Sequence, residues 1–179
     1  MSTELHATGT LRRDIRRVLF KEVLIGVVLN ALVFPFIIWL LDVKPPAAFD
    51  GPGGVVASLA KATAFSVFLM TVILTLVWRV QAQAGKGTAA SVGSRVLSWS
   101  RFVPRNVIGR ALLFVLAAMV ALLPLGAAVC DWFALYPMTK QGFALVNVCY
   151  GALVGTVVTP FITLVAIAEQ QAAGDKTGK

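Results

Sequence analysis

Apolar positions along the chain fall in four long blocks, 18–41, 55–78, 107–130 and 143–168, parted by short polar or Gly/Pro-rich stretches. Each block holds about 20 residues or more, the length an α-helix needs to cross a hydrocarbon core of about 30 Å. The pattern predicts an all-α integral membrane protein, a four-transmembrane-helix bundle forming a single membrane domain. The first block follows the basic stretch "LRRDIRR", as the apolar region of a signal peptide would. It runs about 24 residues, carries Lys21, Glu22 and Asn30, and leads into "WLLDVKPP" rather than a small-residue cleavage site, so a retained span is expected.

Two of the blocks echo one another. "VFPFIIWLLD" (33–42) and "LLPLGAAVCD" (122–131) both place an aspartate seven residues after a proline. At a constant offset of 89 residues, Arg16 falls on Arg105, Lys21 on Arg110, Pro35 on Pro124 and Asp42 on Asp131. "QAQAGKGT" from Gln81 then lies over "QQAAGDKT" from Gln170. This register predicts a tandem duplication of a two-helix hairpin. Both copies would start on the same side of the membrane, which makes a parallel repeat rather than an inverted one. Pro35, Pro124 and Pro160 are read as kinks, because each removes a helical hydrogen bond that neighbouring helices must re-satisfy.

Charge adds a direction. Of the sixteen Lys and Arg, thirteen lie on the side holding both termini and three, Lys44, Lys61 and Lys140, on the other. The basic loops of a membrane protein stay in the cytoplasm. That places the 1–17 tail, the 79–106 loop and the 169–179 tail there. Within the loop, residues 94–103 mix Val96, Leu97, Trp99 and Phe102 with arginines, which predicts a short interfacial helix ending before Pro104. The net charge of +8 is accounted for by topology and by attraction to anionic lipid head groups, and no nucleic-acid motif accompanies it.

Composition leaves little foothold for other chemistry. With 58% hydrophobic and 13% charged residues, the chain has no room for a soluble domain. The only histidine, His6, sits in the polar N-terminal tail, and the two cysteines, Cys130 and Cys149, form no CxxC. No metal cluster, cofactor or enzymatic activity is expected. What remains is polar residues inside the spans. Lys61 lies roughly 9 Å inside its block at the rise of an α-helix, and an ionisable group there marks a functional hypothesis. With Asn30, Asp42, Asn147 and Tyr150 it makes a candidate intramembrane polar cluster. Small residues at a spacing of four mark helix-packing faces: Ser58, Ala62 and Ser66 in the second span, Gly151, Gly155 and Thr159 in the fourth.

The segments "FKEVLIGVVLNALVFPFIIWLL", "RFVPRNVIGRALLFVLAAMVALLPL" and "YGALVGTVVTPFITLVAIAE" resemble a group of small four-span bacterial membrane proteins loosely labelled permease-like. That group has no settled activity, so the resemblance implies an architecture and carries over no functional residues. Two function classes follow. One is a non-catalytic accessory or scaffold subunit that binds partner helices and anionic lipids. The other is a homo-oligomeric transporter or channel for ions or small solutes.

Overall fold

A computed structural model of the chain describes residues 16–32, 36, 44–48, 51, 53–84, 92 and 94–177, and the regular structure among them is entirely helical. Five helices result: α1 over 16–32, α2 (Val55–Gln83), α3 (Ser94–Ser100), α4 (Val107–Trp132) and α5 (Lys140–Thr177). Three of them, α2, α4 and the Lys140–Ala172 part of α5, are long and apolar enough to cross a membrane. Of the first predicted span, 33–35 and 37–41 lie outside the described residues.

Local chemistry sets where the helices begin. The chain enters α2 through Gly54 in an extended conformation, after the Gly/Pro-rich stretch that precedes it. At the start of α4 the Asn106 side chain accepts a hydrogen bond from the Ile108 amide at 3.2 Å, satisfying one of the donors a helix N-terminus leaves open. Thr139 does the same for α5, its hydroxyl accepting from the Gly142 amide at 3.1 Å. This cap starts α5 at Lys140, three residues before the apolar block at Phe143. α3 closes in a tight turn, with Phe102 N donating to Trp99 O and Val103 N to Ser100 O. Neither Pro124 nor Pro160 interrupts the helix that contains it.

α2 and α5 pack on each other, and α4 packs on both. α1 lies against α5 and α2, as the glycine contacts and the Asn30 hydrogen bonds described below show. α5 is the most enclosed of the three long apolar helices and α4 the least. On α4, Ile108, Leu112, Leu116 and Val120 form an outward stripe at a spacing of four, each more than half exposed. α3 rests on α5, where the Trp99 and Phe161 rings sit 6.1 Å apart.

Two ends of the bundle can be told apart. One carries Arg79, Arg110 and Glu169 and is called the arginine end here. At the other, the loop before α2 meets the α4–α5 connection through Met138 N donating to Pro46 O at 3.1 Å.

Candidate functional site

Asn30 on α1 is buried and fully engaged. Its amide nitrogen donates to Gly26 O at 2.9 Å and to Met70 Sδ at 3.2 Å, while its carbonyl oxygen accepts from the Ser66 hydroxyl. Thr159 on α5 also donates to Met70 Sδ, at 3.3 Å. One thioether on α2 therefore ties α1 to α5. Sulfur is a weak acceptor, so this arrangement saturates donors without building a strong polar site. A second pair lies alongside: Thr63 donates to Leu59 O at 2.8 Å, which leaves the Tyr150 hydroxyl to donate to Thr63 Oγ1 at 2.7 Å.

These side chains come together because the backbones do. A Cβ placed on Gly151 would stand 2.7 Å from Asn30 O, and one on Gly155 would stand 2.8 Å from Gly26 O. A Cβ on Gly26 would collide with Thr159 Oγ1. Gly151, Gly155 and Thr159 thus form the face that α1 presses against. Gly126 on α4 makes the equivalent opening for the Tyr150 ring, 2.5 Å from where its Cβ would be. The space between Ala62, Thr63, Ser66, Asn147 and Tyr150 is too small for a water molecule. A crevice of about 70 Å³ between α1 and α2 is lined mainly by apolar groups.

The predicted polar cluster is redistributed. Asn30 joins Ser66, Met70 and Thr159; Tyr150 joins Thr63; and Asn147, although buried, turns its amide back to Phe143 O at 2.8 Å. Lys61 does not join any of them. It falls on the exposed side of α2, because the buried face runs through Leu59, Thr63, Ser66, Val67 and Met70. Asp42 and Pro35 lie outside the described residues. On the α2 packing stripe Ser66 is buried while Ser58 and Ala62 are half-buried; Pro124 is exposed and Pro160 half-buried.

The arginine end holds charges that count, in the sequence, toward the basic side without being assigned to a site. Arg110 is fully buried. Its Nη2 donates to Glu169 Oε1, its Nε donates to Pro104 O at 3.3 Å, and its Nη1 has no partner. Arg79 approaches the same carboxylate oxygen at 3.7 Å and donates to Arg105 O at 2.5 Å. The signal was available: Arg110 lies three residues inside its apolar block, and Glu169 immediately follows the block that ends at 168, at the same end.

Beside this ion pair, α2 and α5 at the arginine end and the turn after α3 border an open groove of about 1460 Å³. Arg79, Arg101, Arg105 and Glu169 line it, with Trp78 and Thr75 on the α2 side. Two polar atoms of groove residues, Thr75 Oγ1 and Gln170 Oε1, are buried without a hydrogen-bond partner. Among the described residues no group of three His, Cys, Asp or Glu could hold a metal ion, and both cysteines are free.

No protein-family model, curated protein or solved structure matches this chain.

Proposed function

We propose that the protein is a polytopic subunit of the bacterial cytoplasmic membrane, with both termini in the cytoplasm, that acts as a non-catalytic accessory or scaffold. One observation carries the reading. At the glycine-lined crossings Asn30, Ser66, Thr159, Thr63 and Tyr150 spend their hydrogen bonds on Met70, on one another and on helix backbone, which favours a packed interior over a solute path. A transporter needs polar groups that face a solute and exchange partners during transport. Of the two charged side chains in the predicted cluster, Lys61 is on the exterior and Asp42 lies outside the described residues.

The membrane placement is supported by the exposed Leu/Val/Ile stripe of α4, which would be a liability in water and suits hydrocarbon. It is also supported by the thirteen-to-three division of basic residues. The contact between Met70 and Thr159, 89 residues apart, favours a duplicated hairpin. Equivalent residues meet where they flank a two-fold axis, and the α1–α5 contact is then the counterpart of α4 on α2. In this reading the α4 stripe is the face offered to a partner helix, and the arginine end rests on anionic head groups.

The test is extraction of the tagged protein from its own host in mild detergent. A foreign subunit in fixed ratio, lost on Leu116→Trp or Val120→Trp, is the expected result. A pure homo-oligomer that carries solute flux in liposomes would overturn the accessory reading in favour of the transporter.

A further inference from the structure

We infer that the groove at the arginine end is a site for a single anionic phospholipid with a hydroxylated head group, of the phosphatidylglycerol kind. The inference deepens the lipid contact proposed above and rests on that membrane placement.

Charge comes first. Three arginines line the groove against one carboxylate, and that carboxylate is already held by the buried Arg110. No carboxylate among the described residues pairs with Arg101 or Arg105. Guanidinium groups match phosphate geometry with paired donors, so a phosphodiester suits this wall. An amine head group finds no free counter-charge here, because Glu169 is committed to Arg110 and Arg79.

Polar satisfaction comes second. Gln170 uses its amide nitrogen on Trp78 O at 3.1 Å, leaving Oε1 as an acceptor with no donor. The Thr75 hydroxyl, on a residue only 1% exposed, also has no partner. Buried polar atoms without partners are costly. A ligand bearing hydroxyls supplies both a donor for Gln170 Oε1 and a partner for Thr75, which choline or a methyl cap does not.

The third argument favours a lipid over free phosphate. The groove opens beside exposed apolar rings: Phe102 lines it and is 82% exposed, and Trp99 lies against Phe161, both more than a third exposed. Acyl chains have a surface to follow from the head group along α3 and α5.

Native mass spectrometry of the full-length protein, titrated with chain-matched lipids, tests the site. One phosphatidylglycerol is expected to bind at least about 10-fold tighter than phosphatidylethanolamine or phosphatidylcholine. The Arg101→Gln/Arg105→Gln double variant, at exposed positions, should lose about 10-fold or more while unfolding at the same temperature. Gln170→Leu should shrink the preference for phosphatidylglycerol over phosphatidylmethanol, which has the same charge and no hydroxyl, about threefold. Arg16→Gln/Arg17→Gln removes equal charge elsewhere and should leave this binding intact. Equal weakening by both double variants would overturn the groove as the site. So would equal affinity for phosphatidylglycerol and phosphatidylmethanol, or competition by millimolar glycerol phosphate as strong as by the lipid. Each of these outcomes leaves the accessory role standing, since that role is judged on the copurified subunit.

Discussion

At the level of Asn30, polar atoms from three helices satisfy one another; at the level of Glu169, a comparable number of polar atoms leaves part of itself unpaired. The middle of the bundle uses small, neutral groups, Asn30, Ser66, Thr159 and the Met70 thioether, brought into reach by Gly26, Gly151 and Gly155. The arginine end uses long, charged groups around a wide groove, and Arg110 Nη1, Thr75 Oγ1 and Gln170 Oε1 stay unpaired. Backbone proximity explains the difference. Where glycines let helices touch, short side chains reach a partner; where helices diverge, long ones hold the elements together and space is left over. The first arrangement maintains a fold, and the second can also receive a ligand.

Breaking the charged region should have the largest effect. Glu169→Ala leaves the buried Arg110 guanidinium without its counter-charge, and removal of one member of a buried pair costs about 3–5 kcal/mol. The carboxylate is 28% exposed, so a loss near the lower bound, about 3 kcal/mol, is expected in thermal or denaturant unfolding. A change under about 1 kcal/mol would mean that water rather than Glu169 compensates Arg110.

Gly155→Leu attacks the middle instead. Its side chain would run into the Gly26 carbonyl and Val27 Cα, backbone atoms that cannot rotate away. Overpacking of this kind costs about 1–3 kcal/mol. Because the nearest atoms all belong to α1, limited proteolysis should show α1 released before the rest of the bundle. Unchanged protection of α1 would remove Gly155 from the crossing.

Asn30→Leu is expected to cost less, about 1 kcal/mol, since hydrogen bonds between membrane helices average well under 2 kcal/mol. A double-mutant cycle with Ser66→Ala should return a coupling of about 0.6 kcal/mol, and zero coupling would detach the two residues.

The smallest effects separate the regions most directly. Thr63→Val should destabilise by about 0.5–1 kcal/mol, because it strands the Tyr150 hydroxyl. Thr75→Val, the same substitution three turns further along α2, should be neutral or slightly stabilising in lipid-free detergent, because the hydroxyl it removes has no partner. Equal costs at the two positions would erase the distinction between a satisfied middle and an unsatisfied end.

Much of this architecture was legible along the chain. Apolar blocks at 55–78 and 107–130 begin at the residues where α2 and α4 begin, because each follows a glycine or asparagine that ends the preceding loop and starts the helix. The stretch at 94–103, expected to form a short helix, holds α3 for the same kind of reason: apolar residues are mixed with basic ones until a turn before Pro104. Length and hydropathy are properties of consecutive residues, so sequence carries them in full. The polar residues were a different matter. Depth along a span can be counted, but the direction a side chain takes around the helix axis depends on which neighbour the helix meets. A single rotation separates Thr63, which meets Tyr150, from Lys61, which faces outward. Depth alone put Lys61 with Asn147 and Tyr150; helix rotation turned Lys61 outward, while the other two share one buried face of α5.

The sequence by itself determined the long apolar helices α2, α4 and α5, their approximate limits, and the small residues that permit close crossing. Tertiary structure decided which glycine faces which backbone carbonyl, that Met70 gathers donors from both α1 and α5, and that Arg110 is buried on Glu169. The physical reason is one of range. Helix formation and apolar length are local and additive along the chain. The partner of a buried polar atom is chosen by the relative rotation and tilt of helices tens of residues apart, which only their packing together fixes.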